Sequence, residues 1–245
     1  MSLFFQTVST LVYREWLRFI RSPGRIIGAI GAPFLFWALM GLGMGSSYSS
    51  YFYPGMLALV VLFTAIFSSI SLIEDRNEGF LQLVLVTRAP RSALVLGKVL
   101  GVALLATFQS SILLVFAPLL GFDLNLSTIM ATVGELFLLS ISLGALGFLC
   151  AWKFNSVQSF HSVMNLLLFP MWLLSGALFS AEGAHPWMAA VMKANPLYYG
   201  LKALRELLAS QGFAAGAIMI VALFTVIFFV LSINLVRRSQ STVAV

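Results

Sequence analysis

Long runs free of charge alternate with short polar breaks along this chain, and six of the runs are long enough to cross a bilayer. About 20 apolar residues span the ~30 Å hydrocarbon core as a helix. The runs extend from about Ile26 to Met44, Pro54 to Ile73, Ser92 to Leu120, Thr128 to Ala151, Val157 to Phe179 and Phe213 to Val236. The Ser/Tyr-rich stretch Ser46 to Tyr53 reads as the turn between the first two, and Lys98 as part of an interfacial turn opening the third. Ahead of the runs, Leu11, Val12, Trp16, Phe19 and Ile20 recur at helical spacing while Arg14, Arg18, Arg21 and Arg25 gather on the polar side. This predicts an amphipathic helix within residues 1–25, lying in the headgroup region with its arginines toward anionic lipid. Residues 74–91 hold six charges and form a connector with room for a short surface helix between Gly79 and Arg88. Residues 181–211 are too polar to span. Pro186 and Pro196 divide them into two short helices, about Trp187 to Ala194 and Leu197 to Ser210, bent back against the membrane edge. The fold class is therefore an all-α integral membrane protein with six transmembrane helices, forming a single domain over residues 1–245.

Composition supports the same class. Of 245 residues, 60% are apolar and 9% charged, against roughly 45–50% and about 25% in soluble domains. That excludes a soluble globular protein. The net charge of +6 would suit nucleic acid in a soluble chain, but here it reports topology, and no nucleic-acid partner is expected. Eleven basic residues fall on the face shared by the N-terminus, the 74–98 segment, Lys153 and the C-terminal tail. Lys193, Lys202 and Arg205 fall on the other. The positive-inside rule then places both termini in the cytoplasm, as an even number of spans requires them to share a side. Met1 to Val12 is uncharged, which disfavours a cleaved signal. No inverted repeat relates the halves, which disfavours the commonest secondary-transporter plans.

Reactive chemistry is sparse. There is no H-E-x-x-H, no G-x-S-x-G and no Cys/His cluster with metal spacing, so neither catalytic nor metal residues are assigned. Gly97-Lys98 lacks the upstream glycine and following Ser/Thr of a phosphate loop, so no cofactor is expected on this chain, and energy must come from another subunit or a gradient. Intramembrane polar groups are costly and mark function or interhelical hydrogen bonds. They are Gln109, Glu135, His161 and Asn165. Glu135, roughly 10 Å into the fourth run at 1.5 Å per residue, either reaches the outer interface or serves transport. Cys150 is the single cysteine and has no internal disulfide partner.

The connector is the sharper signal. Glu74, Asp75, Arg76, Glu78 and Gly79 crowd mixed charge and a glycine onto a helix end, suited to a rigid peg that offers charge pairs to a docking protein. The stretch from Ile73 through Gly79 to Arg88-Ala89-Pro90-Arg91 and Leu96-Gly97-Lys98 resembles the E-R-E-x-G-T-L-E-x-L-x-x-T-P-x-x-R…L-G-K segment of type-2 ATP-binding-cassette exporter permeases. Asn195-Pro196-Leu197-x-Tyr199 with Arg205 resembles the same family's N-P-L-x-Y-x-x-x-x-x-R. Phe80-Leu81-Gln82 departs from the family's usual T-L-E.

The resemblance implies a half-size export permease moving a drug, lipid or saccharide out across the bacterial inner membrane. Two permeases, this chain with a second copy or a paralogue, would join two ABC ATPase subunits that bind ATP and Mg. Residues 1–25 would be an elbow helix, 74–91 the cytoplasmic coupling helix, and 181–211 the outer re-entrant hairpin. The substrate path would follow the dimer axis beside the second and fifth spans, with Phe63, Phe67, Phe160, Met164 and Asn165 as candidates. A gradient-driven carrier and a docking scaffold that moves no substrate are the alternatives.

Overall fold

The computed structural model describes residues 3–210 and 214–238. The start of the sixth run at Phe213, the end of the hairpin at residue 211 and both chain ends lie outside these residues. Among the described residues every regular element is a helix. We number them α1 (Leu3–Ile20), α2 (Pro23–Met44), α3 (Ser46–Asn77), α4 (Phe80–Val86), α5 (Arg91–Leu113), α6 (Leu126–Ala151), α7 (Val157–Ala177), α8 (Pro186–Ala194), α9 (Pro196–Leu208) and α10 (Ala215–Arg238). Six of them, α2, α3, α5, α6, α7 and α10, are long and apolar enough to cross a membrane.

Helix α3 is the axis of the fold. Of its most apolar window 89% is buried, against 11% for α2 and 22% for α10. Lipid is as apolar as leucine, so helices associate through close packing of small residues and through hydrogen bonds. Both devices are present. Gly147 of α6 lies so close to Ser69 of α3 that a Cβ there would stand 2.3 Å from its hydroxyl oxygen, and Gly55 meets Ala177 similarly at 2.9 Å. The Ser69 hydroxyl donates to its own helix at Ala65 O, 2.7 Å, and the Tyr53 hydroxyl donates to Leu113 O, 2.8 Å, where α5 tightens into a short 3-10 turn.

Two expectations are corrected. Ser46 to Tyr53 is no turn but the first two turns of α3, and the reversal from α2 is made at Gly45 alone, whose φ of +90° suits only glycine. Serine and tyrosine are tolerated in this helix because their polar groups find partners. Trp37 donates to Ser49 O at 3.1 Å, Tyr48 to Leu178 O at 3.2 Å and Tyr51 to Gly176 O at 3.2 Å. Lys98 does not sit in an interfacial turn either. It lies two turns inside α5 and is buried.

The helix ends follow local chemistry. Asn125 caps α6 by accepting from Thr128 N at 2.8 Å, Ser156 caps α7, and Pro23, Pro186 and Pro196 occupy first-turn positions of α2, α8 and α9. A left-handed Gly79, φ +78°, breaks α3 from α4. This glycine sets the direction of the short helix that follows.

Candidate functional site

The ends of α1, α3 and α5 meet at the face rich in basic residues. Four cations, Arg14, Arg18, Arg25 and Lys98, face four carboxylates, Glu15, Glu74, Asp75 and Glu78. Asp75, with no exposed side-chain surface, pairs with Lys98, Arg14 and Arg18, the last at 2.9 Å. Lys98 Nζ also reaches Glu15 Oε1 at 2.5 Å and Ser71 Oγ at 3.0 Å, and Ser71 donates to Glu15 at 2.9 Å. Arg18 pairs with Glu78 at 2.7 Å, and Arg25 with Glu74 at 2.5 Å. An enclosed charge is tolerated only when paired and hydrogen-bonded. The balance of four against four, with Ser71 filling a lone-pair position, meets that requirement.

Three of the four α1-side arginines therefore turn to the carboxylates of α3 rather than to lipid, which corrects the expectation for Arg14, Arg18 and Arg25. Arg21 remains exposed. The sequence held a signal for this. Glu15 lies on the buried stripe of α1, four residues from Leu11 and from Phe19, where an unpaired carboxylate would not be tolerated. Glycines permit the approach of α1 to α5. A Cβ at Gly97 would stand 2.8 Å from Leu11 Cβ, and one at Gly101 2.8 Å from Glu15 Cγ, so this spacing of four serves a seam within the chain. Gly101→Val is expected to cost about 1–3 kcal/mol by overpacking, read as a lowered melting temperature with earlier proteolysis in α1.

Helix α4 projects from this network. Leu81 is buried and Arg14 lays its guanidinium 3.6 Å from the centre of the Phe80 ring, fixing the inner side. The outer side shows Gln82, Leu83, Val86, Thr87 and Arg88, with Leu83 70% and Val86 86% exposed. Arg76 is directed sideways. It donates to Trp152 O at 2.7 Å, Phe154 O at 3.0 Å and Asn155 Oδ1 at 3.2 Å. The residues of the connector thus divide: Asp75 is enclosed, Glu74 and Glu78 pair with α1-side arginines, Arg76 holds the 152–156 connection, and Gly79 sets the bend.

At the opposite face α9 clamps a kink in α7. Asn195 caps α9 by accepting from Leu197 N at 3.0 Å, and its amide donates to Met171 O at 2.5 Å. Arg205 donates to Gly176 O at 2.6 Å and lies 4.1 Å over the Tyr51 ring. Burial lowers its guanidinium pKa from the usual arginine range, with Tyr51 opposing. Asn195 and Arg205 thereby act on the same kink, where Gly176 takes φ +88°.

The remaining candidates separate by surface. Phe63 and Phe67 stack at 5.9 Å and are partly exposed, His161 meets Phe67 edge-on at 6.2 Å, and Asn165 is exposed. Phe160 and Met164 have no exposed surface and lie inside the helix bundle. Gln109 accepts from Thr64 at 2.9 Å, joining α5 to α3. Glu135 is 2% exposed, and neither carboxyl oxygen has a hydrogen-bond partner among the described residues.

Comparison with known proteins decides what this arrangement belongs to. Residues 6–209 match the profile of ABC-2 type transporters. The chain belongs to the ABC-2 type transporter family. It is 26% identical to a protein of Cyanophora paradoxa named as transport permease ycf38, over 94% of this chain and 82% of that one. It is 22% identical to the daunorubicin resistance ABC transporter permease protein DrrB1 of Streptomyces coeruleorubidus, over 81% and 74%. This ABC-2 permease is an integral membrane protein, with six helices among the described residues long and apolar enough to span, of a family whose members typically pair with an ABC ATPase subunit.

Proposed function

We propose that this permease is the transmembrane subunit of an ATP-driven exporter in a bacterial cytoplasmic membrane, with both termini in the cytoplasm. Two permeases would work with two ATPases that bind ATP and Mg. The observation that carries this reading is α4, a short helix whose base is bound into the ion network while Leu83 and Val86 face outward. A solvated loop has no use for that apolar face. A cleft on an ATPase would cover it.

Closure of the ATPases would push α4 as a lever. Through Arg14 and Asp75 the displacement reaches α1, α3 and α5 together, so the whole base tilts rather than one helix end. Nucleotide shifts the inward–outward equilibrium only through a difference in affinity for the two states, so substrate must in turn alter the rate of hydrolysis. At the far end, the Arg205 clamp on Gly176 would set the outer closure. Phe63, Phe67, His161 and Asn165 present surface that can border a path between copies, with Phe160 and Met164 packed behind it. Drug, lipid and saccharide remain the substrate classes, and the name of the Streptomyces relative favours a drug.

Purification of the chain from its native membrane should bring down a stoichiometric ATPase, and inverted vesicles should accumulate substrate only with ATP. Uptake driven by a proton gradient without ATPase would overturn the reading. Glu135 favours the carrier alternative, because a buried carboxyl without a partner suits a proton site. On the exporter reading Glu135→Gln, which keeps shape and removes the charge, leaves ATP-driven transport within about twofold of wild type, whereas a carrier would lose gradient-driven flux.

A further inference from the structure

A groove of about 560 Å³ opens between α6, α7 and α10 at the basic face, away from the network and from α4. Leu149, Val163 and Leu231, one from each helix, wall it, and Lys153 and Arg238 stand at its rim. Among the described residues no carboxylate lines it. We propose that this groove holds one anionic phospholipid, its headgroup between Lys153 and Arg238 and the start of an acyl chain between the apolar walls. The position of the charges argues for this occupant. Lys153 lies in the connection beyond α6 and Arg238 at the end of α10, which is the headgroup level of the leaflet, and a basic pocket between transmembrane helices at that level selects anionic headgroups. A phospholipid supplies phosphate and hydrocarbon at the depths where this groove presents cations and apolar walls. The assignment needs no transport step and stands apart from the ATPase reading.

Cys150, the only cysteine of the chain, lines the same groove, so its thiol reports occupancy. The intact assembly is placed in nanodiscs of phosphatidylcholine alone or with phosphatidylglycerol, and alkylation of Cys150 by a neutral maleimide is timed. We expect roughly fivefold slower alkylation with phosphatidylglycerol, the order of preference that one cation confers at a membrane surface. The ratio between the two bilayers is taken within each variant, which removes differences in intrinsic thiol reactivity. Lys153→Glu with Arg238→Glu should return the ratio to one. Lys153→Gln, at an exposed position that carries no packing, should give an intermediate ratio. A wild-type ratio of one overturns the proposal, as does a ratio that charge reversal leaves unchanged. Equal and complete protection in both bilayers also overturns it, since a second copy or another subunit would then cover the groove.

Discussion

Replacing Asp75 by alanine is expected to lower the melting temperature of the purified permease by on the order of 10 °C, since breaking an enclosed ion pair from one side costs about 3–5 kcal/mol. The carboxylate has no exposed surface and faces Lys98, Arg14 and Arg18 at once. Its removal leaves the Lys98 ammonium buried with only Glu15 and Ser71. Glu78→Ala is the internal comparison. That side chain is 58% exposed, and a surface pair contributes less than about 1 kcal/mol. Adding Lys98→Met together with Glu15→Gln to Asp75→Ala should recover part of the loss, because the buried cation and its remaining carboxylate are then removed together and neighbours in one network are not additive. If the Asp75 variant melts with the wild type, the network does not hold α1, α3 and α5 together, and the lever described above has no fulcrum.

Leu83→Glu with Val86→Glu should leave the melting temperature unchanged and weaken ATPase association on the order of a hundredfold. Both side chains are exposed in the protomer, so the substitutions remove no internal packing. On a docked ATPase both would be buried, and each apolar side chain of this size contributes about 1.5–3 kcal/mol on full burial. The measurement is a titration of the purified ATPase against the permease in nanodiscs, with substrate-stimulated hydrolysis as the second readout. Unaltered affinity and stimulation would remove α4 from the interface. Arg76 is a poorer probe for this purpose. Its three hydrogen bonds to the 152–156 connection mean that Arg76→Ala disturbs the fold as well as any docking.

The spans were legible because the bilayer sets a length: an uncharged run of about 20 residues has little alternative to crossing. Observed boundaries fall within a few residues of those read from the pattern for α6, α8 and α9. The start of α3 was not legible. Serine and tyrosine mark turns when their hydroxyls compete for the local backbone, and only the fold shows Tyr51 and Tyr48 reaching carbonyls at and just past the end of α7, more than 120 residues away. The same limit applied to charge. Periodicity showed that Arg14 and Arg18 share a face of α1, but a face has no address, and lipid phosphate and the carboxylates of Glu74, Asp75 and Glu78 satisfy it equally on paper. Lys98 and Glu15 were the accessible clue, two opposite charges each placed where an apolar residue belongs. The connector itself was recognised from its sequence, while the division of labour within it, with charges turned inward and Leu83 and Val86 turned out, required the bend at Gly79.

Docking of α4 in an ATPase cleft is open to a crosslinking test with a Val86→Cys variant in a Cys150→Ser background, which leaves one reporter thiol, expressed with the co-purifying ATPase and treated with a short homobifunctional or photoactivated thiol crosslinker. An adduct between permease and ATPase is expected that maps to a single cleft and changes in yield when ATP is added. None is expected from a cysteine placed at Lys202 on the opposite face. A Val86→Cys protein that stays active and bound to the ATPase yet forms no adduct, or one that crosslinks no better than Lys202→Cys, would contradict it.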